Sequence, residues 1–279
     1  MTDRPSIAGI CPLWNALSAQ YPFVEAILTT LPVVDRMFVN DGGSTDGTLE
    51  VLERMAKQWP KIEIVPIKWE RSGMWEAMDG AIEQMLGTCC RDYEWIIEVQ
   101  GDEYFHPNLH QATLDEIAKA HNEGYNALRQ PLLTIFGWEY QDEYIYRNIR
   151  IFRNLPGIKS LWGGDCFFFE WLPQAREGFT THNLPPELDS DIFRHHLKDC
   201  WVEDRWLQAA GHAQHLAVDH KGRQEYAERL RKIGRHKPPI PATIHPDVPE
   251  LYHGLIGLER YIVRDELFEW GGDLSGNGV

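Results

Sequence analysis

The feature that most restricts the fold of this chain is a repeated exchange of hydrophobic period over its first 105 residues. Short apolar runs give way to helical spacing and back again. "SIAGICPLW" (6–14) reads as a buried strand, and "AQYPFVEAILTTLP" (19–32) as a helix through Phe23, Ile27 and Leu31, stopped at Pro32. "RMFVND" (36–41) is a second strand. It feeds the helix "TLEVLERMAKQW", in which Leu49, Leu52, Met55 and Trp59 share a face and Pro60 ends the run. "IEIVPIKW" (62–69), "MWEAMDGAIEQML" (74–86) and "EWIIEVQGDEYF" (94–105) continue as strand, helix and strand. Such alternation predicts an α/β fold: a mainly parallel sheet with helices on both faces. Ligands of these sheets sit beyond the carboxyl ends of the strands. Three of those ends are polar here: Asn15, the stretch Asp41 to Asp46, and Asp102 with Glu103. They are expected to converge on one crevice.

The second of these ends is overbuilt. From Asp41 to Thr48 the chain holds two aspartates, three glycines, a serine and two threonines between an apolar strand and an amphipathic helix. An EF-hand reading fails. Setting its obligatory glycine at Gly47 puts Glu53 suitably at position 12, but it puts Gly42 where an aspartate ligand is needed, and a strand precedes. A P-loop fails because no Gly-Lys-Ser/Thr follows. Helix capping by Thr45 or Asp46 accounts for part of the stretch. It leaves the strand-terminal Asp41 without a role, and that residue points to a ligand. The turn "VQGDEYF" brings further carboxylates toward the same crevice, where crowded acids repel one another unless a cation joins them. A divalent ion on Asp102 and Glu103, with open positions for ligand phosphates, suits that arrangement.

Charge agrees with a cation-holding protein. Lys plus Arg number 27 against 42 Asp plus Glu, a net of −15 over 279 residues, so no nucleic-acid partner is expected. The five cysteines show no CxxC spacing and read as reduced thiols. No leader peptide and no transmembrane segment are expected, which places the chain in the cytoplasm. Beyond residue 125 the pattern changes. "ALRQPLLTIFGWEY" and "YRNIRIFRN" read as antiparallel β segments, and residues from 201 onward as mostly helical, with a proline-rich connection at 236–250. The expected organisation is a ligand-binding half at 1–125, a mixed region at 126–200, and a helical extension at 201–279.

These residues resemble glycosyltransferase family 2, the nucleotide-diphospho-sugar enzymes of the GT-A fold. "CPLWN" (11–15) is similar to the family's first-strand PxYN element. "VNDGGSTDGT" is similar to its VDDGSTDGT signature, with Gly42 replacing the second aspartate. "VQGDE" is similar to its DxD strand end, with Gln100 in place of the first aspartate and Asp102 at the last, and "RNIRIFRNLPG" resembles an RLFRN segment. The resemblance implies a GT-A, Rossmann-like sheet and transfer of a sugar from a nucleotide diphosphate sugar to an acceptor hydroxyl, with inversion as the family default. It implies a nucleotide site at Pro12, Trp14, Asn15, Asp41, Gly43, Ser44, Gly73 and Gly101. Trp14 would stack the base, a contact worth about 1–3 kcal/mol. Asp41 would accept hydrogen bonds from base or ribose, worth about 1.5–3 kcal/mol. Mn²⁺ or Mg²⁺ would be held by Asp102, Glu103 and a late histidine such as His196, with His195 and His220 as rivals. In "WVEDRWLQAAGHAQHLAVDH" the candidate general base is Asp204, against Asp189 and Asp191. Asp79 stands where many relatives carry asparagine. Two other readings remain. A nucleotidyltransferase would want a basic glycine-rich loop after its first strand, which "CPLWNALSAQ" lacks. A silent sugar-nucleotide or carbohydrate-binding relative would bind without turnover.

Overall fold

The computed structural model describes residues 4–198 apart from 18, 20, 70–73, 106–108, 137–139, 142–145, 162, 172–183, 191 and 193. The expected helical extension at 201–279 lies outside the described residues. β1 (Ile7–Leu13) is buried along its whole length. It is followed by α1 (Phe23–Thr30), a 3-10 turn at Leu31–Val33, and β2 (Arg36–Asp41). Next come α2 (Thr48–Gln58), β3 (Ile62–Val65), α3 (Met74–Gly87) and β4 (Trp95–Glu98). The two-residue β5 (Glu103–Tyr104) precedes α4 (His110–Glu123), a helix that the hydrophobic pattern did not single out. Then follow β6 (Ala127–Phe136), β7 (Tyr140–Gln141), β8 (Tyr146–Arg153), β9 (Ile158–Leu161), β10 (Cys166–Phe169), β11 (Glu187–Asp189) and β12 (Arg194–Lys198).

The main sheet runs β3-β2-β1-β4-β8-β6-β12-β5, with β7 and β11 also on β6. β3, β2, β1 and β4 are mutually parallel, whereas β8 is antiparallel to both β4 and β6. The sheet is therefore mixed and mainly parallel in its first half, as the alternating pattern predicts. The stretch 94–105, expected as a strand that runs into an acidic turn, does so and then adds a short second strand. β4 stops at Glu98, a turn closed by Glu103 N donating to Gln100 O at 3.0 Å intervenes, and β5 pairs antiparallel with β12. The reason lies in Gly101 and Asp102, both poor strand formers.

Period-two alternation divides the core. Ile7, Cys11 and Leu13 of β1 join Phe23, Ile27, Leu52, Met55 and Ile117 on the face covered by α1, α2 and α4. Ala8 and Ile10 point oppositely, to Ile82, Met85, Phe152 and Phe167 beneath α3 and the β9–β10 hairpin. The four described cysteines, Cys11, Cys89, Cys90 and Cys166, are free thiols. Among the described residues no helix is long and apolar enough to cross a membrane.

Candidate functional site

Parallel pairing of β1 with β2 sets Leu13 opposite Asp41, so the loops that leave the two strands start side by side. Side chains then lace them together. Asn15 N donates to Ser44 Oγ at 2.8 Å, Thr45 N donates to Asn15 Oδ1 at 2.8 Å, and Leu17 N donates to Thr48 Oγ1 at 3.1 Å. Asn15 holds its place with φ at 48°, a left-handed conformation that Asn tolerates better than most residues. Asp46 Oδ1 accepts from Thr48 N at 3.1 Å and from Thr48 Oγ1 at 2.7 Å, which ties down the start of α2 where Gly47 turns with φ at 97°. The N-cap itself is Gly47, neither of the two residues expected, and Asp46 acts from one residue before it.

Asp41 is half committed. Its Oδ2 accepts from Gly43 N at 3.0 Å and Ser44 N at 2.9 Å. Its Oδ1 is buried with no hydrogen-bond partner among the described residues. A buried acceptor left unmet costs about 1–3 kcal/mol, so this atom could take a donor from a ligand.

Trp14, just past β1, is 37% exposed, so it is not a core tryptophan. Pro12 is buried inside β1. Val99 N bonds to Ile10 O while Gly42 N bonds to Leu13 O, so alternate residues of β1 face opposite neighbours. Pro12 faces the β4 side, where pairing has ended at Ile10 opposite Glu98, and its missing N–H leaves no gap in the ladder. Gly42 has a steric reason that the sequence did not disclose. A Cβ there would lie 2.4 Å from the Trp69 ring, whose Nε1 donates to Asn40 Oδ1 at 2.6 Å. Trp69 thus walls the loop where relatives carry an aspartate, and only its place at the end of "IEIVPIKW" hinted at this. Gly101 is buried, and a Cβ there would meet Leu13 Cδ2 at 2.8 Å, which lets the acidic turn lie directly on the end of β1. Gly43, with φ at 91°, has open space around its missing Cβ.

The acidic turn contains a correction. Glu103 does not face the crevice as a metal ligand. It is buried, and its oxygens take Arg150 Nη2 at 2.7 Å, Arg150 Nε at 2.8 Å and Arg194 Nη1 at 3.2 Å. Glu98 is buried beside it, 3.1 Å from Arg150 Nε, and burial pushes its carboxyl well above the usual range. The two guanidiniums respond in opposite directions. Burial pulls Arg194 down to about 10, since the neighbouring Glu103 does not offset it. Burial opposes the charge of Arg150 too, but Glu103 and Glu98 outweigh it and hold that group above its ordinary value. Asp102, the other carboxylate of the turn, is half-buried.

Asp79 Oδ1, on α3, accepts from Ser160 Oγ at 2.6 Å, Gly163 N at 2.9 Å and Gly164 N at 3.2 Å. Burial raises its carboxyl despite these bonds. The backbones of His195 and His196 on β12 pair with Tyr104 and Glu103, while their side chains lie outside the described residues. So do Gly73, Asp191, Asp204 and His220. Asp189 is 68% exposed and lies 3.6 Å from Arg129 Nε at the end of β11. The structure therefore brings Trp14, Asn15, Asp41, Gly43, Ser44, Gly101 and Asp102 to neighbouring ends of β1, β2 and β4.

The family described as glycosyl transferase family 2 matches residues 10–168. No curated protein matches the sequence. Among solved structures, S. aureus TarS 1–349 in complex with UDP is 19% identical with a TM-score of 0.35, over 47% of this chain and 37% of that one. The mannosyltransferase PcManGT from Pyrobaculum calidifontis, in complex with GDP-Man and Mn²⁺, is 15% identical with a TM-score of 0.47, over 93% and 70%. Glucosyl-3-phosphoglycerate synthase from Mycobacterium tuberculosis, in complex with Mn²⁺, UDP and glucosyl-3-phosphoglycerate, is 19% identical with a TM-score of 0.31, over 48% and 45%. The chain spans little more than a third of the TarS chain. The family match takes in the laced loops, the acidic turn and more than half of the chain, which therefore belongs to glycosyl transferase family 2 and has its GT-A fold.

Proposed function

We propose that the chain moves a sugar from a nucleotide diphosphate sugar to an acceptor hydroxyl, with the nucleotide lying over the ends of β1, β2 and β4. The observation that carries this reading is Asp41. One of its oxygens rigidifies the loop, and the other waits, buried, for a base or ribose donor. Trp14 offers the base an exposed aromatic face.

A divalent cation fits the acidic turn on chemical grounds. Arg150 and Arg194 are both buried against Glu98 and Glu103, so neither reaches a diphosphate in the crevice. Among the described residues no three His, Cys, Asp or Glu side chains close around an ion. Asp102 would hold Mn²⁺ or Mg²⁺ with diphosphate oxygens completing the shell, the usual arrangement for an ion with few protein ligands. Held there, such an ion would supply neutralisation of the charge that grows on the departing diphosphate. The sugar C1–O bond to phosphate breaks as the acceptor oxygen bonds to C1. In the inverting course a carboxylate takes the acceptor's proton, and Asp204 is assigned that part. Residues 126–200 are assigned to the acceptor side.

Calorimetric titration with UDP, GDP, CDP and dTDP tests this, each in Mn²⁺ and in EDTA, on wild type, Asp41→Ala and Asp102→Ala. One nucleotide should bind in Mn²⁺, lose its binding in Asp102→Ala, and bind weakly in Asp41→Ala. If none of the four binds, the crevice has been misassigned.

A further inference from the structure

On the reading above, the acidic turn is one carboxylate short, because Gln100 stands where the family resemblance expects the first aspartate. The fold brings a carboxylate to that position from a different segment. Gln100 Nε2 donates to Asp165 Oδ1 at 2.9 Å, across 65 residues of sequence. Arg150 Nη2 donates to the same oxygen at 3.3 Å. Asp165 is 51% exposed, unlike Glu98 and Glu103 behind it, so its charge faces outward from the buried ion pairs.

Its seat is built from three directions. Asp79 on α3 holds the amides of Gly163 and Gly164, the two residues that lead into Asp165. Both turn with positive φ, 69° and 89°. Gly164 O in turn accepts from Arg150 Nη1 at 3.0 Å. Beneath them, Glu98 Oε1 lies 2.8 Å from where a Cβ on Gly164 would stand, so no larger residue fits above it. Glu98 Oε2 pairs with Arg150 Nε at 3.1 Å, while Oε1, the atom under the Asp165 seat, receives no hydrogen bond among the described residues.

We propose that Asp165 is the second carboxylate of the diphosphate–cation site, clamped there by the Gln100 amide. This rests on the proposed nucleotide-sugar function. An acid at position 100 would meet Asp165 at hydrogen-bond distance, and two like charges so close cannot both stay ionised. Glutamine at 100 and aspartate at 165 are therefore complementary. The pair carries one charge, and with Asp102 the site has the two acids that a DxD turn has.

The test is an isosteric exchange. Wild type, Asp165→Asn, Gln100→Glu, the double variant Gln100→Glu/Asp165→Asn, and Asp102→Ala are titrated with Mn²⁺ in the presence of UDP or GDP, by calorimetry. Asp165→Asn should weaken Mn²⁺-dependent nucleotide binding tenfold or more. The double variant, which returns the charge to position 100 with the hydrogen bond reversed, should come back to within threefold of wild type. Asp165→Asn binding within twofold of wild type, while Asp102→Ala loses binding, overturns the assignment. So does a double variant no better than Asp165→Asn. Wild type that binds no nucleotide in Mn²⁺ overturns the parent function instead, and this assignment with it.

Discussion

Asp79 offers the sharpest test of how the far wall of the site is held. Its Oδ1 takes three donors, two of them the buried backbone amides of the Gly163–Gly164 turn. Asp79→Ala strands those two amides, each costing about 1–3 kcal/mol, so the variant should lose roughly 2–6 kcal/mol. The Ser160 hydroxyl can rotate and adds little. Asp79→Asn keeps a carbonyl oxygen at the same place and removes a charge that burial disfavours, so it should lie within about 1 kcal/mol of wild type. A pH dependence follows. The Asp79 carboxyl is raised above its ordinary 3.8, so the folded state holds the proton more tightly than the unfolded state does. Its contribution is fully present below 3.8 and is lost as pH rises through the raised value. Wild type should therefore lose stability relative to Asp79→Asn over that window. Urea unfolding of the three proteins at stepped pH gives all of these numbers. If Asp79→Ala stays within 1 kcal/mol of wild type, or Asp79→Asn falls as far as Asp79→Ala, the hydrogen-bond argument fails.

Two other substitutions probe neighbouring parts. Glu103→Ala leaves Arg150 and Arg194 buried with too few partners and should cost about 3–5 kcal/mol in urea unfolding. A loss below 1 kcal/mol would mean that the guanidiniums re-pair elsewhere. Gly42→Asp writes the family's second aspartate into the loop but drives its Cβ into Trp69, so it should cost about 1–3 kcal/mol and weaken nucleotide binding. Gly42→Asp combined with Trp69→Ala should regain part of that stability.

Much of the first half was legible because local pattern and tertiary role agree there. β2 starts and ends where the apolar run does, and α2 starts at the residue after the glycine that turns into it. The polar strand ends were legible too, since topology alone sends them to one side of the sheet. Glu103 was not. Its neighbour Asp102 marks a solvent turn, but its own fate depends on Arg150 and Arg194, which arrive from strands far along the chain. Asp165 was missed for the same reason. Nothing local in "WGGDCF" says that its carboxylate will meet Gln100. Gly42 looked like a loss of charge, and the Trp69 ring that demands it lies beyond the next helix and strand.

The place of β8 bears on the order in which this molecule can assemble. β4 has β1 on one side, and its other side is filled only by β8, whose residues lie some 50 positions later. As a ribosome releases the chain, Trp95, Ile96 and Ile97 wait with one row of backbone groups open, an apolar edge of the kind that recruits other chains. The same delay leaves Glu98 and Glu103 without the guanidinium of Arg150. One strand thus seals the sheet and neutralises the buried acids in a single step. A chain cut near residue 125 would have neither.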